Sequence, residues 1–271
     1  MNELISAFFS YAFLSRALTA GILISLCAAL LGVSLVLKNY ALIGDGLSHV
    51  GFGALTIAAA ANLAPLAVAV PVVVAAAFLL LRLRGRGAIR GDSAIALLST
   101  AALALGVLVS SVCGMNTDLS AYLFGSILSM SSSDVVLSAV LCGIVLVLYI
   151  VFYNKIFTVT FDESFARATG THTGFYDSLL AVLTAVTVVL GMRLMGTLLI
   201  SSLIIFPAVT ARKLVGSFKA VVVTSVIISI VCYVVGICCS FLLNLPTGAS
   251  IVLVDLVVLI VASLIEYFRK K

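Results

Sequence analysis

The stretch KAVVVTSVIISIVCYVVGICCSFL, residues 219–242, holds a single charge in 24 residues, at its first position. A helix rises about 1.5 Å per residue, so roughly 20 residues cross ~30 Å of hydrocarbon. This stretch therefore reads as a membrane span. Working outward from it, eight further apolar segments can be drawn, at 11–37, 43–61, 64–83, 92–113, 134–153, 175–193, 196–212 and 248–268. Segment 196–212 is short for a crossing, and 64–83 follows its predecessor through a tight turn at Asn62–Pro65. The expected fold is an all-α integral membrane protein: a polytopic bundle of eight or nine transmembrane helices, with residues 1–271 forming one transmembrane domain.

Composition agrees. Hydrophobic residues make up 63% of the chain, charged residues only 9%, and the mean hydropathy is +1.35. A soluble domain carries about 25% charged residues to cover its surface, which this chain lacks. A P-loop of the form G-x-x-x-x-G-K-[ST] is absent, which excludes ATP hydrolysis by that route. The apolar run from Ile5 to Leu37 is too long for a cleaved signal peptide and has no basic n-region. Six cysteines (Cys27, Cys113, Cys142, Cys232, Cys238, Cys239) lie in or at the edges of apolar stretches without C-x-x-C spacing, and read as small hydrophobes.

Basic residues orient the bundle. With nine crossings and a cytoplasmic C-terminus, every Lys and Arg except Arg16 and Arg193 falls on the cytoplasmic side, the bias expected of membrane proteins. The net charge of +5 follows from topology, with no nucleic-acid partner required. Between the fourth and fifth spans, Leu119–Met130 (LSAYLFGSILSM) is apolar but too short to cross, and is expected to be a re-entrant or interfacial helix. Asp92, Asp134 and Asp177 each stand near the start of a span, where a helix N-terminus favours a negative charge.

Polar chemistry inside the membrane is concentrated in ALIGDGLSHVGFG, residues 41–53. Asp45 and His49 are separated by four residues and share one helix face. Counted from Ala41, Asp45 lies roughly 6 Å and His49 roughly 12 Å along the helix. A carboxylate in hydrocarbon costs at least ~2.5 kcal/mol and is kept where it meets a partner or a path. Oxygen plus imidazole nitrogen suits zinc, manganese or ferrous iron. A buried Asp–His pair that only holds two helices together is the bland reading. Gly44, Gly46, Gly51 and Gly53 allow either close helix approach or local unwinding.

The polar stretch from Tyr153 to Tyr176 contains TFDESFARATG, residues 160–170. Thr160 and Glu163 fit a capping box and Gly170 a C′ position. The spacing predicts a cytosolic helix of about nine residues with Phe161 and Phe165 on one face, serving either as a capped loop helix or as a docking element. His172 is expected to be a solvated loop residue.

Four blocks carry a resemblance to a known family: LVLKNYALIGDGLSH (35–49), LFGSIL (123–128), FDESFA (161–166) with Ala168 and Gly170, and MGTLLISSLIIFPAVTAR (195–212). Along nearly its whole length the chain resembles the metal-ion permeases of zinc/manganese-type ABC importers. The resemblance implies a homodimer of permeases over a pair of cytosolic ATP-binding subunits in a bacterial plasma membrane, fed by an extracytoplasmic metal-binding protein. It implies transport of a zinc or manganese ion by alternating access, with no permanently bound cofactor and no enzymatic activity in this chain. It places metal ligands at Asp45 and His49, and contacts to the ATPase at Asp162, Glu163, Phe165, Ala166 and Gly170. Gly44, Gly46 and Pro207 are candidates for gating or structural roles. Asp255 departs from the family pattern, and pairing with Arg193 is its simplest expectation. Two other classes fit less well. A secondary transporter would use Asp45 and His49 as a proton relay, but no inverted repeat is visible. An intramembrane hydrolase lacks both H-E-x-x-H and G-x-S-x-G.

Overall fold

The computed structural model describes residues 12–85, 91–114, 125, 131–243 and 245–270. These form eleven helices and no strand among the described residues: α1 (Ala12–Leu37), α2 (Ile43–Ala60), α3 (Pro65–Gly85), α4 (Gly91–Val112), α5 (Ser132–Val151), α6 (Tyr153–Phe161), α7 (Glu163–Ala168), α8 (Thr173–Met195), α9 (Thr197–Leu214), α10 (Phe218–Leu243) and α11 (Thr247–Lys270). All but α2, α6 and α7 are long and apolar enough to cross a membrane. The nine segments expected from sequence correspond to α1–α5 and α8–α11, with boundaries within a few residues. The expected re-entrant segment lies outside the described residues, apart from Gly125.

The exception among the long helices explains itself. α2 carries Asp45, His49 and four glycines, so its apolarity is low, yet twelve of its 18 residues are buried. It is packed among α3, α4, α8 and α9 and meets protein where its neighbours meet lipid. Four lipid-compatible helices thus pack around one that is not.

Side-chain contacts fix which ends share a face. Lys38 after α1 pairs with Asp177 in the first turns of α8. Lys213 at the end of α9 lies 3.0 Å from Glu266 near the end of α11. At the opposite face Arg193, at the end of α8, stands 3.6 Å from Asp134 at the start of α5. Successive long helices therefore alternate in direction. Asp134 stands in the first turn of α5 and also completes a capping box with Ser131.

Lipid tails are as apolar as leucine, so helices here associate through close packing of small residues. Ala17, Ala20 and Ala28 of α1 are fully buried, and Tyr233 of α10 donates its hydroxyl proton to the Ala17 carbonyl at 2.9 Å. At Gly32 of α1 an added Cβ would lie 2.1 Å from the backbone oxygen of Ile204 in α9. Backbone cannot swing aside as a side-chain tip can, and overpacking of this kind costs ~1–3 kcal/mol. Gly32→Ala is accordingly expected to lower the thermal unfolding midpoint of the purified protein measurably. An unchanged midpoint would mean that α1 and α9 do not cross this closely.

Candidate metal site and coupling segment

α2 begins at Ile43, two residues later than the sequence count assumed, and Asp45 stands in its first turn. The helix continues unbroken to Ala60, so the local unwinding allowed by the glycines is not used. Their role is steric. An added Cβ at Gly44 would lie 2.8 Å from Ile204 of α9, and at Gly46 2.5 Å from Ile95 of α4. At Gly51 it would lie 2.5 Å from Met192 of α8, and at Gly53 2.6 Å from the backbone oxygen of Ala102 in α4. The missing side chains bring three helices against the one that bears Asp45 and His49.

One carboxylate oxygen of Asp45 lies 3.7 Å from His49 Nε2, and the other accepts a hydrogen bond from the Ser201 hydroxyl of α9 at 3.2 Å. The first distance is too long for a hydrogen bond. Two ligands held about 2.1 Å from one ion at a tetrahedral angle stand roughly 3.4 Å apart, so a slight closure would let both atoms share a cation. As a device for stability the arrangement is poor. The Asp45 side chain is 49% exposed, where an ion pair contributes little, and His49 Nδ1 is buried without a hydrogen-bond partner, which costs ~1–3 kcal/mol. Among the described residues no three His, Cys, Asp or Glu side chains converge as a metal-binding group. One chain offers a single carboxylate–imidazole pair with an exposed carboxylate edge.

Ser201 was not singled out from the sequence, although it lies inside the fourth family block. The missing signal is tertiary: α2 and α9 are adjacent in space but more than 150 residues apart. Gly196, just before α9, has φ +86°, and Gly125 has φ +72°; a Cβ on Gly125 would lie 2.3 Å from the carbonyl carbon of Met195. Both glycines satisfy left-handed backbone geometry, and Gly125 itself lies against the α8–α9 break. Pro207 is buried inside α9, which continues through it.

The 160–170 segment differs from its expected form. The chain forms two helices that break at Asp162, and the break separates Phe161 in α6 from Phe165 in α7. Thr160 is buried in α6 with its hydroxyl unpartnered, so the Thr160–Glu163 box is not made. Asp162 caps α7 instead, its Oδ1 accepting from the Phe165 amide at 2.8 Å. Asp is at least as strong an N-cap as Thr, and α6 is held helical through Phe161 by packing of Phe157 and Phe161 on Phe218 of α10. Gly170 sits at C′ with φ +76°, and the amides of Gly170 and Thr171 bond back to Arg167 and Ala166, a complete Schellman motif. Ala166 is buried, while Phe165 is 57% exposed and Glu163 pairs with Arg167. His172 is exposed.

Comparison with known proteins bears on this arrangement. The model of the ABC 3 transport family matches residues 10–266. The chain belongs to the ABC 3 transport family. It is 28% identical to the manganese import system permease protein ScaB of Streptococcus gordonii over 100% of this chain and 99% of that one. It is 32% identical to the manganese transport system membrane protein MntC of Halalkalibacterium halodurans, over 90% of this chain and 84% of that one. Among solved structures, PsaBC from Streptococcus pneumoniae in complex with Fab is 29% identical and superposes with a TM-score of 0.86, covering 96% of this chain and 94% of that one. The all-α membrane fold is thus shared with a solved relative, and the chain is a membrane component of a transporter rather than an enzyme.

One family departure is corrected by the permease structure. Asp255 does not pair with Arg193, which is engaged by Asp134. Asp255 is the ninth residue of α11 and lies ~12 Å along it, too deep to reach a cation at the helix ends. It is 1% exposed, with the Cys232 thiol beside it and no other partner for either oxygen among the described residues. With no counter-charge to lose, Asp255→Asn keeps the shape and is expected to assemble and transport as the parent does. Loss of uptake in a properly assembled variant would assign Asp255 a role.

Proposed function

We propose that this chain is the permease subunit of an ATP-driven importer of divalent transition-metal ions, manganese or zinc, in a bacterial plasma membrane, with its C-terminus cytoplasmic. The observation that carries the reading is the Asp45–His49 pair on a helix packed among four others, a slight closure short of sharing one cation and braced by Ser201. Two protein ligands with an exposed edge suit an ion that must leave again, since a closed four-ligand cage holds its metal structurally. A two-fold axis through that edge, in a homodimer, brings two Asp–His pairs around one ion. The names of ScaB and MntC support manganese first. Oxygen and nitrogen donors alone accept zinc as well.

In this mechanism an extracytoplasmic metal-binding protein delivers the ion. Asp45 and His49 replace part of its hydration shell, and α2, α4 and α9 switch the pair between the two sides. α9 presents Ser201 and carries Pro207 six residues further on, while Gly44 and Gly46 let α9 and α4 move in contact with α2. The switch is driven from the cytosolic side, where α7 docks into a pair of ATP-binding subunits through Phe165. Asp162, Ala166 and Gly170 hold α7 in shape, and Glu163 with Arg167 orients its polar face. The residues 1–271 act as one transmembrane unit.

Uptake of radiolabelled manganese, with zinc as competitor, tests the reading in vesicles carrying permease, ATPase and binding protein. Accumulation that requires both ATP and the Asp45–His49 pair is expected. Accumulation driven by an ion gradient without the ATPase would contradict it.

A further inference from the structure

We infer that the ion pair between Lys38 and Asp177 is the mechanical tie through which movement of α7 reaches the metal-binding helix, an assignment that rests on the transport reading above. Lys38 and Asp177 lie 139 residues apart in sequence. Their side chains are only 9% and 18% exposed, so solvent and salt screen the pair far less than a surface contact.

Each partner is joined rigidly to one of the two ends that must communicate. On the Asp177 side, the Schellman turn at Gly170 fixes α7 to the start of α8. The Arg167 guanidinium, which belongs to α7, also donates to the Thr173 hydroxyl in the first turn of α8 at 3.2 Å. Asp177 follows one turn later. On the Lys38 side, Asn39 takes φ +58°, and the Asn39 and Tyr40 amides bond to the carbonyls of Val36 and Leu35 at 3.1 and 2.7 Å. The Ile43 amide then bonds to the Tyr40 carbonyl at 3.0 Å. The five residues joining α1 to α2 are thus a hydrogen-bonded turn, and a pull on Lys38 is delivered to the first turn of α2, where Asp45 stands.

Phe165, Arg167, Thr173, Asp177, Lys38 and Asp45 therefore form one contiguous path of short contacts and stiff turns, the physical form that coupling between distant sites requires. A cavity of about 1060 Å³ opens beside the pair, bordered by Tyr40, Phe78, Arg82 and Glu163. It leaves α7 room to shift against α3 while the Lys38–Asp177 contact carries the load. Lys38 and Asp177 are positioning residues: neither touches the transported ion.

The test uses the reconstituted complex of permease, ATPase and binding protein. Asp177→Asn and Lys38→Gln remove the charges at near-constant shape, and Lys38→Asp with Asp177→Lys exchanges them. The neutral variants are expected to assemble, to bind manganese at equilibrium as the parent does, and to keep basal ATP hydrolysis. Ions imported per ATP hydrolysed should fall about tenfold, and the exchange should restore most of that ratio. Unchanged coupling in Asp177→Asn, or no recovery in the exchanged pair, would overturn the assignment. Asp45→Ala is run alongside. If it still imports metal, the transport reading fails; if it is inactive while Asp177→Asn couples normally, only the tie between Lys38 and Asp177 is lost.

Discussion

Asp45→Ala and His49→Ala will each reduce metal uptake by at least about 100-fold while leaving the permease assembled with its ATPase. Groups that merely orient a metal ligand are worth 10–100-fold when removed, and the ligand itself exceeds that. The fold should survive both changes. The Asp45 carboxylate is half-exposed and its ion pair adds little stability. His49→Ala also removes a buried nitrogen with no partner, which offsets part of the packing lost. Ser201→Ala should show the graded effect of an orienting group: apparent affinity weaker by ~10-fold with maximal uptake largely kept. Concentration-dependent uptake separates these outcomes. Equal losses from all three substitutions would mean that the cluster acts through packing rather than coordination.

Phe165→Ala is the second large effect, and it differs in kind. An exposed aromatic on a short, doubly capped helix has the character of an interface anchor, and truncating such an anchor typically costs 2 kcal/mol or more, about 30-fold in affinity. Co-purification with the ATPase should weaken by that order. ATP hydrolysis by the subunits that remain should continue without import. Metal binding at equilibrium should be unchanged, because Phe165 lies on α7, away from α2. Phe161→Ala should instead loosen the segment from α10, since its ring packs on Phe157 and Phe218. Metal binding abolished by Phe165→Ala would refute the separation of the two sites.

The sequence made some of this visible because the signals are local. Apolar length located every long helix, and the i, i+4 spacing of Asp45 and His49 in an apolar context marked the candidate site. Gly170 was readable as a C′ residue because the Schellman turn is written in consecutive residues. What was not visible depended on distant partners. Ser201 reaches Asp45 only because Gly44 lets α9 approach α2. Arg193 has two acidic candidates in the sequence, and depth decides for Asp134 over Asp255. Asp177 looked like an ordinary N-terminal acid, and its partner arrives from the α1–α2 turn. The cap at Asp162 was a local competition decided by tertiary packing: aromatic contacts to Phe218 hold α6 helical past Thr160, so Asp162, two residues further on, caps α7.

The most direct measurement is the anomalous scattering of manganese in crystals of the assembled transporter soaked with the ion. A single peak between the Asp45 and His49 side chains of two permease copies is the expected result. A peak elsewhere in the bundle, with these side chains turned away from each other's subunit, would contradict the proposed path of the ion.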